Sequence, residues 1–205
     1  KRMIHFYPGM GATASMYGEL WREEIPGAFH DWPTWHGETM IAELAERIVI
    51  ENGIKDGDVL VGSSLGGIVA CEIARIRSIE RVVLIGSAAN KEEISGILEI
   101  LHPLADYSPI GFVKACSGKL PSDLAKMFSE SDPGFIRAMI KAIFKWEGVH
   151  PSTRLLRIHG SRDLVIPRPD KVDLLIPGGH LIAMTHPREC IQKLKVEQVA
   201  AGNVS

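Results

Sequence analysis

The sequence predicts an α/β fold in three layers, with a mostly parallel sheet of about six strands and helices on both faces. Two observations support this prediction. Short apolar runs typical of buried strands alternate with helical patterns along the chain, which indicates βα units around a parallel sheet. The chain has 205 residues, of which 45% are hydrophobic and 23% are charged, and this suits a single globular domain over residues 1–205 with one substantial core.

The first half of the chain predicts three strands and three helices. Residues 3–7 form an apolar run that a Gly-rich turn ends, and a helical pattern follows over residues 14–23. Residues 28–32 predict a weaker strand, which leads into an aromatic loop. The next helix spans residues 39–52, and its apolar side chains share one face: Ile41, Leu44, Ala45, Ile48 and Val49. A short apolar run over residues 58–62 then precedes a third helical pattern.

The second half predicts three more strands and a helical insertion. Residues 81–85, 154–158 and 173–176 are apolar runs of strand length, and a closing helix begins at Pro187. Between residues 90 and 150 only helical patterns occur, separated by segments rich in Pro, Gly and Ser. Connections in compact domains usually span about 2–6 residues, so we interpret residues 90–150 as a helical cap over the sheet. The alternative is that these helices simply pack on one face of the sheet.

The turn after residues 58–62 matches the G-x-S-x-G pattern of a nucleophile elbow, in the sequence Gly62-Ser63-Ser64-Leu65-Gly66. This pattern places a Ser on a sharp turn between a strand and a helix, and glycines avoid a clash on either side. The helix that follows aims its N–H groups at the place where an oxyanion would form. Ser64 is the candidate nucleophile, because only Ser64 has Gly both two residues before it and two residues after it.

A Ser hydroxyl needs a general base, and the base needs an acid that orients it. In a parallel sheet of this kind both lie at the carboxyl ends of later strands. Asp163 follows the fifth predicted strand and His180 follows the sixth, in the order Ser, Asp, His. Asp170 and Asp173 are rival acids, although the first lies in mid-loop and the second at the start of a strand. We expect His159 to pack beneath the site.

The same pattern predicts where an oxyanion hole would lie, since such a hole needs two converging N–H donors. The Leu65 amide directly follows the nucleophile, and the Met10 amide belongs to the Gly-rich loop after the first strand. The alternative is that the amides of this loop only cap the following helix. In the aromatic loop, Trp35 and His36 are weaker candidates for lining a substrate pocket.

Composition and charge argue against several partners and cofactors. The net charge of −2 gives no electrostatic case for nucleic acid or for an anionic membrane. No apolar run reaches the ~18 residues of a spanning helix, and we expect no signal peptide because the first residues lead into a strand. Cys71, Cys116 and Cys190 are scattered and odd in number, which favours reduced thiols in a cytoplasmic protein. No zinc pattern occurs, so neither a metal nor another cofactor is expected.

With these motifs the chain resembles the α/β-hydrolase superfamily, as a small esterase-like member with a helical cap. Besides the elbow and the residue 8–11 loop, residues 159–167 are similar to the family's H-G-x-x-D-x-x-[IV]-P acid loop, and residues 178–180 to its G-G-H pattern. The resemblance implies Ser64 as nucleophile, Asp163 as acid and His180 as base, and it implies the Met10 and Leu65 amides as the oxyanion hole.

Two departures from the family pattern stand out. The family usually has His-Gly in the oxyanion loop, whereas this chain has Pro8-Gly9, so a supporting side chain is missing while the backbone donor is kept. The predicted sheet also has six strands where eight are usual in the family, and the first two of the eight are the missing ones.

The expected activity is hydrolysis of a small-molecule ester or thioester, as in a carboxylic-ester hydrolase, through an acyl-enzyme. One alternative is a C–C bond hydrolase or lyase on the same triad, which fold and triad do not distinguish. The other is a non-catalytic member of the fold that binds a ligand, and the intact Ser, Asp and His set argues against it. The sequence assigns neither a physiological substrate nor an oligomeric state.

Overall fold

The computed structural model describes residues 1–94, 131–197 and 199. Within these ranges the strands are β1 (Ile4–Tyr7), β2 (Ala28–Phe29), β3 (Val59–Ser63), β4 (Arg81–Ile85), β5 (Leu155–Gly160) and β6 (Leu174–Ile176). They form one sheet in the order β2-β1-β3-β4-β5-β6, and all the paired neighbours run parallel. The prediction of a parallel α/β sheet of about six strands is therefore confirmed.

The α-helices of the described ranges are α1 (Glu19–Glu24), α2 (Ile41–Glu51), α3 (Leu65–Ile76), α4 (Pro133–Phe144), α5 (Ile182–Thr185) and α6 (Pro187–Val196), and a 3-10 helix spans Lys91–Glu93. The prediction of one continuous helix over residues 14–23 is wrong. A 3-10 turn spans Ala14–Met16, and Tyr17 and Gly18 are extended before α1 begins. None of the described helices is both long and apolar enough to cross a bilayer.

The strands send alternate side chains into two apolar cores, one on each face of the sheet. Leu60 and Leu84 pack with α2, α3 and α4, whereas Val61 and Ile85 pack with α1, α5 and α6. This alternation follows from the two-residue period of a strand. The five side chains predicted to share one face of α2 are all buried, as expected for a helix packed on a sheet.

The predicted cap over residues 90–150 falls mainly on residues 95–130, which lie outside the described residues. The described end of this region is α4, which packs into the core beside α2 and α3. Met139 of α4 is fully buried there. Just after α4, the Trp146 indole N–H donates to Glu72 of α3 at 3.1 Å. α4 is therefore part of the helical layer on the sheet, and the cap stays a prediction.

Two cysteines lie in the described residues, and both are buried free thiols. Cys71 lies on α3 and Cys190 on α6, and burial raises the pKa of each thiol to about 12. Such thiols stay protonated at neutral pH and behave as small apolar groups of the core. The third, Cys116, lies outside the described residues.

Candidate active site

Ser64 lies on a strained turn between β3 and α3. Its backbone has φ 51° and ψ −119°, and among the described residues it is the one non-glycine residue with a positive φ. The Ser64 amide donates to the carbonyl of Ile85 at 3.2 Å, and the Ser64 carbonyl accepts from the hydroxyl of Ser87 at 2.6 Å. Both contacts tie the elbow to the end of β4. Backbone strain that neighbours hold in this way is typical of functional sites.

The two glycines of the elbow are required by close packing. A Cβ on Gly62 would lie 2.2 Å from the backbone of Gly66 and Gly67, and a Cβ on Gly66 would lie 2.5 Å from the carbonyl oxygen of Tyr7. No side chain fits at these distances, so β3, α3 and the end of β1 approach one another as only glycine allows. The strand–turn–helix context predicted for the motif is thus confirmed.

His180 lies between Ser64 and Asp163, within hydrogen-bond distance of both. Its Nε2 atom is 3.0 Å from the Ser64 Oγ atom, and its Nδ1 atom is 2.8 Å from Oδ2 of Asp163. The three residues follow β3, β5 and β6. They therefore meet at the carboxyl edge of the parallel sheet, although they lie far apart in the sequence. The structure therefore brings together the three residues that the sequence predicts as a set.

Asp163 is held as a carboxylate by three donors. Its Oδ1 atom accepts from the amides of Val165 at 2.8 Å and Ile166 at 2.9 Å, and its Oδ2 atom accepts from His180. Burial opposes ionisation, but the hydrogen bonds from His180 and from the two amides outweigh it and lower the pKa of Asp163. Because an ionised carboxylate can only accept, Nδ1 of His180 carries the hydrogen, and Nε2 is left to accept from Ser64.

The two rival acids lie outside the contact chain, whereas His159 lies beside it, with its Nε2 atom 3.5 Å from Oδ2 of Asp163. Asp170 is exposed, and Asp173 is exposed with its Oδ2 atom accepting a backbone amide of β5 at 2.7 Å. His159 is buried beneath the acid loop, where its Nε2 atom donates to the carbonyl of Ile166 at 2.9 Å. Burial lowers the pKa of His159. It is therefore a neutral, packed side chain under the site, as its sequence position predicts.

The loop after β1 lies directly against the nucleophile. A Cβ on Gly9 would come within 3.6 Å of the Ser64 Cβ atom. Among the described residues, the amides of Met10 and Leu65 donate to no acceptor. An oxyanion hole needs two such amides converging on one oxygen, and the assignment of Met10 and Leu65 to this role stays a prediction.

Trp35 and His36 make their described contacts with their own loop and with α4. The Trp35 indole N–H donates to the carbonyl of Glu38 at 3.0 Å, and the ring covers Gly134. His36 is exposed, and its amide donates to the Glu38 carboxylate at 2.9 Å. No hydrogen bond or ring contact in the described part of the chain joins either side chain to the triad. Their role in lining a pocket stays a prediction.

Sequence reasoning missed two residues of the loop after β4. Gly86 has φ 55°, and a Cβ there would lie 2.8 Å from the carbonyl oxygen of His180, so only glycine lets the His180 loop approach. Ser87 holds the Ser64 carbonyl, as described above. The signal was a Gly-Ser pair directly after a buried strand.

Among the described residues, no group of three or more His, Cys, Asp and Glu side chains is arranged to hold a metal ion.

Comparisons with known proteins agree with this architecture. The model of the alpha/beta hydrolase family matches residues 6–193, whereas comparison with curated proteins gave no match. A hydrolase from Oleispira antarctica superposes with a TM-score of 0.76 at 16% identity, covering 98% of this chain and 92% of the other. A thermophilic esterase from Thermogutta terrifontis gives 0.68 at 18% identity, covering 98% and 91%.

The RedJ thioesterase of prodiginine biosynthesis, from Streptomyces coelicolor, gives a TM-score of 0.70 at 17% identity, covering 97% of this chain and 90% of the other. At such low identities these three likenesses show a shared fold alone. The family match is a separate finding from the sequence. It extends over most of the chain and includes Ser64, Asp163 and His180.

Proposed function

The chain belongs to the alpha/beta hydrolase family, and from this premise we propose that it is a serine hydrolase acting on a small ester or thioester. The observation that carries the proposal is the contact chain from Ser64 through His180 to Asp163, with separations of 3.0 and 2.8 Å. A hydroxyl, an imidazole and a carboxylate in this order form the arrangement that makes a serine nucleophilic at neutral pH.

The first half of the reaction is acylation of the serine. Nε2 of His180 accepts the proton from Ser64 as Oγ attacks the carbonyl carbon, and Asp163 stabilises the imidazolium that forms. The amides of Met10 and Leu65 donate to the oxyanion. Since Leu65 is the first residue of α3, the positive end of the helix dipole also faces the developing charge.

Collapse of the oxyanion completes the acylation, and deacylation then releases the acid and restores the serine. His180 gives its proton to the departing alkoxide or thiolate, and the carbonyl re-forms as an acyl ester on Ser64. In deacylation, water attacks the acyl carbonyl as His180 accepts its proton, and a second oxyanion forms. When this oxyanion collapses, His180 returns the proton to the Ser64 Oγ atom and the acid leaves. These reaction steps use the side chains of Ser64, His180 and Asp163, the amides of Met10 and Leu65, and one water molecule.

The substrate class follows from what this machinery handles best, a carbonyl with a good leaving group. Esters and thioesters both provide one, and the solved structures with the same fold include an esterase and a thioesterase. We therefore place the activity among the carboxylic-ester hydrolases and closely related thioesterases. We propose a cytoplasmic location from the scattered, odd-numbered cysteines of the sequence alone.

Steady-state hydrolysis of p-nitrophenyl acetate by the Ser64→Ala variant tests the proposal. We expect kcat to fall by about 10⁴-fold or more. The matched control is Ser63→Ala, which removes the neighbouring buried hydroxyl and should keep most of the activity. A Ser64→Ala protein with the wild-type rate would end the proposal. A panel of acyl esters and thioesters of increasing chain length then identifies the preferred substrate.

A further inference from the structure

We propose that Trp32 is a positioning residue for the oxyanion hole: its indole N–H holds the Gly9 carbonyl and thereby turns the Met10 amide toward the reacting carbonyl. The inference rests on the proposed function. It adds a residue outside the triad and the elbow that controls how well the transition state is stabilised. No hydrogen bond or ring contact within the described ranges joins Trp32 to the triad.

The argument starts from the geometry of one peptide unit. The Trp32 Nε1 atom donates to the carbonyl oxygen of Gly9 at 2.9 Å, and the same oxygen accepts from the Ala12 amide at 3.1 Å. The carbonyl of Gly9 and the N–H of Met10 belong to the same peptide group, which is trans. In a trans peptide the C=O and N–H bonds lie in one plane and point in opposite directions. Holding the carbonyl therefore fixes the direction of the Met10 N–H.

The loop needs such a constraint because its own sequence is permissive. Met10 lies between Gly9 and Gly11, and Gly11 has φ 74°, so the backbone on both sides rotates at little steric cost. Rotation of the Gly9–Met10 peptide by half a turn would present a carbonyl oxygen where an oxyanion must bind, which would be repulsive. Pro8, the residue before this pair, has no side-chain donor that could hold the loop.

Trp32 is itself held firmly enough to set this orientation. Its ring packs against Tyr7 of β1, with centroids 6.4 Å apart, and against Phe135 of α4, with centroids 5.6 Å apart. The indole is thus fixed between the sheet and the helical layer. Two donors on the Gly9 oxygen also polarise the peptide, which makes the Met10 N–H a stronger donor to the transition state.

The experiment removes the indole N–H while the ring is kept. Trp32 is replaced by 3-benzothienylalanine, an isostere with sulfur in place of the N–H, and in parallel by Phe as Trp32→Phe. Trp146→Phe is the matched control, because the Trp146 N–H donates to Glu72 on α3, away from the oxyanion loop. The readouts are kcat and KM for p-nitrophenyl acetate per titrated active site, and Ki for a trifluoromethyl ketone whose adduct carries an oxyanion.

Both replacements of Trp32 should lower kcat by about 10- to 100-fold, less than the ~10²–10³-fold cost of losing a donor outright. The Ki of the trifluoromethyl ketone should rise in parallel, while KM changes by less than about threefold, since a donor to the oxyanion acts on the transition state. Trp146→Phe should keep the wild-type kcat. If Trp32 only stabilised the fold, its replacement would lower the fraction of protein molecules with a titratable active-site serine and would leave kcat per active site unchanged.

A benzothienylalanine variant with wild-type kcat and Ki overturns the inference, whether or not Trp32→Phe is impaired, because the ring alone then suffices. This failure is distinguishable from failure of the proposed function. If Ser64→Ala is inactive while the isostere is fully active, only the role of Trp32 is wrong. If Ser64→Ala stays active, the proposed function itself is wrong.

Discussion

Replacing Asp163 by Asn is expected to disable the base without disturbing the fold, and the structure shows why. Asp163 Oδ1 accepts from two backbone amides, those of Val165 and Ile166, whereas Oδ2 accepts from Nδ1 of His180. An Asn side chain has one oxygen and one NH₂ group. Its oxygen must face the two amides, since the reverse orientation would set an NH₂ donor against two N–H donors.

The NH₂ group of the Asn then faces His180 and donates to Nδ1. His180 is forced into the opposite tautomer, with its hydrogen on Nε2, which lies 3.0 Å from the Ser64 Oγ atom. In that state Nε2 has no lone pair for the serine proton, so the hydroxyl is not activated. The change swaps an oxygen for a nitrogen of similar size and leaves the packing intact.

We expect Asp163→Asn to lower kcat by about 10⁴-fold, the effect of a reversed tautomer in a serine triad. At about 1.36 kcal/mol for each factor of ten, this corresponds to about 5 kcal/mol of transition-state stabilisation. The assay is steady-state hydrolysis of p-nitrophenyl acetate, and circular dichroism checks that the variant is folded. The matched control is Asp170→Asn, an exposed rival acid of the same loop, which should keep the wild-type kcat.

A folded Asp163→Asn protein with kcat within tenfold of the wild type would refute this reasoning, since His180 would then need no acidic partner. An equal loss in Asp170→Asn would refute it as well, because the orienting carboxylate would then be the wrong one.

Three further predictions concern stability. A Cβ on Gly62 would lie 2.2 Å from the Gly66 backbone, so Gly62→Ala should cost about 3 kcal/mol or more in urea unfolding and abolish esterase activity, and unchanged stability would contradict the packing argument. Burial, together with the neighbouring His5, lowers the pKa of His30 to about 4. The unfolded chain therefore binds more protons, and the free energy of unfolding should fall as the pH falls from about 6.5 to about 4. His30→Gln should reduce this loss between pH 7 and pH 5, and an unchanged pH dependence would show that His30 is not its source. Met139→Ala should cost about 2–5 kcal/mol, because Met139 is fully buried, and a cost below about 1 kcal/mol would show that α4 is not packed in the core.

Much of the fold was predictable because the strands of a parallel sheet are encoded locally. The apolar runs at β3 and β4 are buried on both faces, so they are recognisable as strands without knowledge of their partners. The prediction of one helix over residues 14–23 was wrong because a tertiary contact overrides the local pattern. The Tyr17 hydroxyl donates to the carbonyl of Tyr7 at 2.7 Å, a contact in the core that goes with an extended backbone at Tyr17 and Gly18.

The triad was predictable because its chemistry fixes residue type, order and position at strand ends. The supporting residues were not, since their roles depend on contacts between separate loops. Ser87 braces the elbow 23 residues away, and Trp32 reaches the Gly9 carbonyl across the same sequence separation. Neither contact follows a local pattern, because the first depends on how β3 and β4 lie side by side in the sheet and the second on how β1 and β2 do. No residue spacing in the sequence encodes that placement.

The central claim is that Ser64 is made nucleophilic by His180, and covalent labelling tests it most directly. The intact protein is treated with a fluorophosphonate, and the modified peptide is identified by mass spectrometry. The account predicts one phosphonyl adduct, on Ser64, with a labelling rate that falls by at least about 10³-fold in His180→Ala. A folded protein that gives no adduct, an adduct on another residue, or equally fast labelling without His180 would contradict it.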